Sequence, residues 1–146
     1  MLTAQTVSIS INRPFDEAYE FAHQPANFAL WAEGMGEDLR PGMGGVWLAE
    51  TPQGAAEITF TPRNEHGVLD HTVRLPQGRI YVPLRIVENG DGCEVMLTVF
   101  RQEQMSDLQF NSDLDAVMRD LATLKSLLEV QPGESVVHVD FNAKRR

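Results

Sequence analysis

The sequence predicts an α+β domain in which an antiparallel sheet is covered by one long helix near the C-terminus. Three observations predict it. Between residues 44 and 101, short apolar-rich runs alternate with turn residues at hairpin spacing, the pattern of a meander. At 112–130, Leu114, Val117, Met118, Leu121, Leu124 and Leu128 recur at steps of three and four while Asp113, Arg119, Asp120 and Lys125 fall away, the stripe of an amphipathic helix. Ahead of the meander, one strand is followed by two short helical segments.

Residues 6–12 alternate strictly, with Val7, Ile9 and Ile11 against Thr6, Ser8 and Ser10, which makes a half-buried strand. Arg13-Pro14 changes the period. Phe15, Ala18, Phe21 and Ala22 then mark a short helix opened by Pro14. His23-Gln24-Pro25 ends it and begins a second, with apolar contacts from Phe28, Leu30 and Trp31, before Gly34, Gly36 and the pair Glu37-Asp38. Strands are expected at 46–50, 56–63, 68–75, 79–87 and 94–101, with turns at 51–54, 64–67, 76–78 and 89–92. Residues 102–111 lead to the long helix, for which Ser112 is the expected N-cap and Asp113 and Asp115 suit the positive end of the dipole. It would run about 28 Å, enough to cross a small sheet. Pro132-Gly133 stops it. One domain is expected over 1–131. The tail, 132–146, carries an alternating Val137, Val139, Phe141 run and a basic end, and is either a disordered terminus or an added edge strand, within the subunit or across a homodimer.

Twelve Lys and Arg against 21 Asp and Glu give a formal charge of −9, which repels a phosphate backbone and argues against nucleic acid as partner. A single cysteine, Cys93, precludes an internal disulfide framework and suits a reducing, cytoplasmic compartment. No stretch approaches the ~18 apolar residues of a membrane span, and the N-terminus has no leader-like pattern. His23, His66, His71 and His138 lack the spacing of a metal site, so neither metal nor cofactor is expected. A Gly-rich phosphate loop after a strand and a Gly-x-Ser-x-Gly elbow are both missing from the sequence.

The run Ile9-Ser10-Ile11-Asn12-Arg13-Pro14 leading into 15–22, then Pro25-Ala26-Asn27-Phe28 with Trp31, Gly67-Val68-Leu69-Asp70-His71, and Asp120-Leu121-Ala122-Thr123-Leu124-Lys125 resemble the START/SRPBCC superfamily. The similarity covers about 6–130 and is to bacterial members of the polyketide cyclase/dehydrase or lipid-transport-like kind. It implies the helix-grip fold, a curved antiparallel sheet wrapped around the last helix, with a ligand cavity between them. The resemblance also implies that Trp31 lies near the cavity mouth. The tail after Pro132 departs from the usual pattern, and few strands precede the meander, which implies a small cavity.

Pairing 56–63 with 68–75 through the four-residue turn puts Ala56, Ile58, Phe60, Leu69, His71, Val73 and Leu75 on one face, with Glu57 opposite Arg74 on the other. His71 is then the lone polar group of the inward face, either a ligand-orienting or proton-transferring imidazole or a core histidine with a backbone partner. Burial there predicts a neutral ring at about pH 7. In the next hairpin two geometries are open. A three-residue loop at 76–78 with a bulge turns Tyr81 and Arg85 to the side of His71, where Arg85 would clamp a carboxylate or enolate; a two-residue turn puts both outside and Ile80, Val82, Leu84 and Ile86 within. The first leaves an aliphatic face for a second copy to cover. With the helix stripe opposite, the candidate ligand contacts are Trp31, Phe60, Leu69, His71, Val73, Tyr81, Arg85, Phe100, Met118 and Leu121, and the candidate catalytic residue is His71.

Three functions compete. The first is binding of a small hydrophobic or aromatic molecule, by resemblance a lipid, quinone or polyketide-like compound. The second is a cyclase or dehydratase-type enzyme in the same cavity, with His71 moving protons. The third is a partner-binding module resembling the chaperone-activator branch of the superfamily. A cavity of several hundred cubic ångströms separates the first two from the third, and polar groups converging on His71 favour the enzyme.

Overall fold

The computed structural model describes residues 1–33 and 37–130. Eight strands and three helices follow the order β1 (Ala4–Ile11), α1 (Phe15–Ala22), α2 (Pro25–Trp31), β2 (Glu37–Pro41), β3 (Trp47–Thr51), β4 (Gly54–Phe60), β5 (His71–Leu75), β6 (Gly78–Val82), β7 (Leu84–Asn89), β8 (Gly92–Phe100) and α3 (Asp107–Leu128). The α+β prediction holds, with the long helix packed on the sheet.

The expected single meander is two sheets, a three-stranded one in the order β1-β8-β7 and a five-stranded one in the order β2-β3-β4-β5-β6. Pro83 divides them. The predicted strand 79–87 is interrupted there because proline has no N–H for the ladder, and its carbonyl instead accepts from the Thr98 N–H at 3.0 Å. The sheets are sewn together by 67–69, which leaves β4 and bonds to β7: Leu69 N–H donates to Leu84 O at 2.8 Å and Ile86 N–H to Gly67 O at 2.9 Å. This shortens the predicted strands 56–63 and 68–75, while the predicted register survives, with Glu57 opposite Arg74 and Phe60 opposite His71. Gly67 has a positive φ of 72°, and a Cβ there would lie 2.1 Å from Ile86 O, so only glycine permits this approach.

Two further boundaries differ from the sequence reading. β2 was not expected; it is short, charged and broken by an irregularity between Glu37 and Arg40. The long helix starts at Asp107, five residues before the expected Ser112 cap, because Ser106 accepts from the Gln109 N–H at 3.1 Å. The connector predicted at 102–111 therefore supplies the first turn of α3.

Leu121 and Leu124 of α3 are fully buried against Ile11, Ala18, Trp31, Leu84, Ile86 and Val95, which makes this face the main core; Ala49, Ala56, Ile58 and Val73 form a smaller one beneath the five-stranded sheet. Met118, predicted in the buried stripe, is 56% exposed, while Val117 beside it packs against the core. The C-terminal end of α3 is clamped to the start of α1. Buried Glu129 accepts from the Asn12 N–H at 2.8 Å and Lys125 Nζ at 2.7 Å, while Arg13 Nη2 donates to the carbonyls of Glu129 and Val130 at 3.3 Å. The tail readings, including the edge strand over 134–146, lie outside the described residues.

Candidate functional site

Between the sheet and α3 lies a cavity of about 260 Å³, to which α3 contributes Asp113, Ala116, Val117 and Asp120. Each wall follows from a local feature of the chain. Pro76-Gln77 forms a two-residue turn that pairs Leu75 with Gly78, so Val73 faces Ile80 and His71 faces Val82 on the inner side. Phe28 and Trp31, three residues apart on α2, turn one helical face towards the same space. Leu97 to Phe100 of β8 and Ala116 and Val117 of α3 complete the apolar lining. Polar contributions come from Thr51, Gln53, His71, Tyr81, Thr98, Gln102, Asp113 and Asp120.

The aromatic side chains form a connected cluster. Phe28 meets Trp31, Phe60 and His71 edge-on, at centroid distances of 5.0, 5.4 and 5.2 Å. His71 is 3% exposed, and its Nδ1 lies 3.1 Å from Leu69 O. A carbonyl only accepts, so Nδ1 carries the proton in that bond and Nε2 is the acceptor of the neutral ring. Burial pushes the imidazole below its usual range, against the backbone bond and the neighbouring Asp70 charge. Trp31 is also buried, and its Nε1–H has no hydrogen-bond partner among the described residues.

Comparison with solved structures gives the architecture its name. The chain is similar to XoxI from Bacillus cereus at 12% identity, covering 87% of this chain and 96% of that one, with a TM-score of 0.69. It is similar to the Aha1 dimer from Colwellia psychrerythraea at 14% identity, with coverage of 90% and 100% and a TM-score of 0.67. Ara h 8.0201 matches at 7% identity, with coverage of 88% and 98% and a TM-score of 0.60. The chain has the helix-grip fold. No family model and no curated protein matches the sequence.

Within this helix-grip frame, the structure brings five of the candidate ligand contacts to the cavity: Trp31, His71, Val73, Tyr81 and Phe100. Phe60 and Leu69 instead line a much narrower crevice that also touches Phe28 and His71. Leu121 is enclosed in the main core, and Met118 points to solvent. Arg85 is corrected most sharply. The two-residue turn places it on the outer face, half-exposed, where Nε and Nη2 donate to Asp70 at 2.9 and 2.7 Å, so it is no clamp for a ligand anion. The same turn buries Leu84 and Ile86 and partly buries Ile80 and Val82, so this face needs no second copy to cover it. Tyr81 also lies on the outer side, yet its ring stacks on Phe100 at 6.3 Å and reaches the cavity rim, with its hydroxyl donating to Asp70 at 2.7 Å.

Sequence reasoning missed Phe28, Asp113 and Asp120 as cavity residues. Phe28 was legible from its three-residue spacing to Trp31. Asp113 and Asp120 are seven apart, two turns on one helix face, and lie off the leucine stripe from which the inward face is read.

Proposed function

We propose that this chain binds a small, largely apolar molecule between the five-stranded sheet and α3. The observation that supports this most is the cavity itself, walled by Phe28, Trp31, Val73, Val99, Phe100 and Val117 within a helix-grip fold. Its volume is slightly below the ~300–1,000 Å³ usual for drug-sized ligands, which suits a compact aromatic or short aliphatic compound. A cytoplasmic setting is part of the proposal, on the strength of the single buried Cys93.

An apolar fluorescent probe tests it. Binding should be saturable, displaced by aromatic compounds, and weakened about tenfold or more by Ala116→Phe, which fills the cavity from α3. Unchanged affinity in that variant moves the site elsewhere.

His71 favours one second reading, an enzyme of the cyclase or dehydratase type. His71 lines the cavity among apolar residues, and a neutral imidazole can take a proton from an activated carbon or hydroxyl. His71→Gln separates the two readings, because an amide keeps hydrogen bonding and cannot act as a base near neutral pH. A binder retains most of its affinity; an enzyme binds and does not turn over.

A further inference from the structure

We propose that Phe28, backed by His71, closes the inner end of the cavity and sets the length of ligand it takes, so that single-ring or short-chain compounds fit and longer chains are shut out. This rests on the reading of the cavity as a ligand site and adds the size class of the ligand.

The first support is how the walls are shared. The crevice next to the cavity, about 10 Å³, lies between the corner of α1 and α2, at Ala22 and Pro25, and the side chains of Phe60, Leu69 and Leu84. Among the described residues, only Phe28 and His71 line both spaces.

The second support is the set of ring contacts. Phe28 meets Trp31 at 5.0 Å, and Trp31 lines the cavity and not the crevice. It meets Phe60 at 5.4 Å, and Phe60 lines the crevice and not the cavity. The Phe28 ring therefore stands between the two spaces. His71 packs against Phe28 at 5.2 Å and Phe60 at 5.6 Å, which completes the partition. Phe28, Trp31 and His71 are all buried and mark the inner end, whereas exposed Gln53 and Tyr81 mark where the cavity meets solvent.

The third support is volume. The crevice is at the limit of a single water, so a ligand has no room beyond the Phe28 ring. Its walls are nonetheless mostly apolar, and removing a large buried side chain opens on the order of 150 Å³, a benzene-sized space that stays dry. Phe28→Ala would join cavity and crevice into one longer apolar channel.

Displacement of an apolar fluorescent probe from the full chain by primary alkanols, butanol to dodecanol, tests this. Each enclosed methylene tightens binding about fourfold, and the gain stops once added carbons stand in water. The wild-type chain should show that stop within the series. Phe28→Ala should move it about three or more carbons longer and Phe28→Leu about one or two. Adding Ala22→Leu to Phe28→Ala refills the crevice and should bring the stop back, whereas a general loosening of the cavity would leave it displaced. The proposal is overturned if wild-type affinity climbs to the end of the series, if the stop stays at one length in both Phe28 variants, or if Ala22→Leu does not restore it. Should Phe28→Ala not fold, Phe28→Leu decides alone. If no alkanol displaces the probe, or if Ala116→Phe leaves every affinity unchanged, the cavity is not a ligand site and the underlying reading fails as well. If Ala116→Phe weakens binding while the stop ignores Phe28, the length assignment alone fails.

Discussion

Arg85 grips Asp70 through two parallel hydrogen bonds, from Nε to Oδ1 at 2.9 Å and from Nη2 to Oδ2 at 2.7 Å. The same carboxylate accepts from the Tyr81 hydroxyl and the Leu84 N–H, so it ties the 67–70 segment to the chain on both sides of Pro83. The hydrogen bonds from Arg85 chiefly hold the Asp70 carboxyl down at about 2, with Tyr81 and Leu84 adding to the effect against the opposing influence of burial. The folded value lies below the ~3.9 of a free aspartate, so this contribution is complete above that pH and is lost as pH falls towards 2. Asp70→Asn should therefore flatten the low-pH limb of the stability curve and cost about 1–3 kcal/mol at neutral pH. Denaturant titrations from neutral to acid pH check it, and a limb unchanged by the substitution would show that the group is not responsible.

His71 should behave in the same direction at higher pH. Its folded value is lowered mainly by burial, so it favours the folded state above about 6.5 and this is lost as pH falls through the depressed value. Nitrogen-detected NMR at about pH 6.5 should find Nδ1 protonated and Nε2 bare. A half-protonated ring there would contradict the burial argument.

Much of this fold is legible in the sequence because strand parity and turn length are local. The Asn64 to Gly67 turn sets Phe60 opposite His71 even though the strands themselves stop short of it. Pro83 inside the predicted strand 79–87 and Ser106-x-x-Gln109 ahead of the predicted helix are a strand breaker and a capping pattern that the sequence itself carries. Arg85 could not be placed without the turn type at Pro76-Gln77, which one residue more or less would reverse. The cavity was less legible, because Trp31, His71, Phe100 and Asp120 come from four elements whose relative placement is tertiary.

Helix α3 offers a paired test of its buried face. Leu121→Ala should cost about 2–5 kcal/mol, since the side chain is enclosed on all sides. Met118→Ala, three residues earlier and mostly in water, should fall within about 0.5 kcal/mol of wild type. Equal losses in chemical denaturation would mean that the helix is rotated relative to this description.

Gly67 can be tested against a second glycine of similar backbone. Gly90 has a φ of 58° with open space around it, so Gly90→Ala reports the left-handed conformation alone, about 1–2 kcal/mol. Gly67→Ala adds a Cβ at 2.1 Å from Ile86 O and 2.8 Å from the Phe15 ring, and should lower stability clearly more. Matching thermal midpoints for the two variants would remove the close approach between 67 and β7 from the account.

The clamp around Glu129 gives α3 unequal ends. At its C-terminus the carboxylate is almost wholly enclosed, whereas at the N-terminus the ion pair of Arg101 with Asp107 stands in solvent on the Asp107 side. Mobile ions screen the second and barely reach the first. Rising ionic strength should thus loosen the helix from one end only, and that is the end beside Met105 and Asp113, over the cavity. Amide hydrogens of the first turns would exchange faster in concentrated salt while those near Lys125 keep their rate, so the opening of the space beneath α3 would depend on the salinity of the medium.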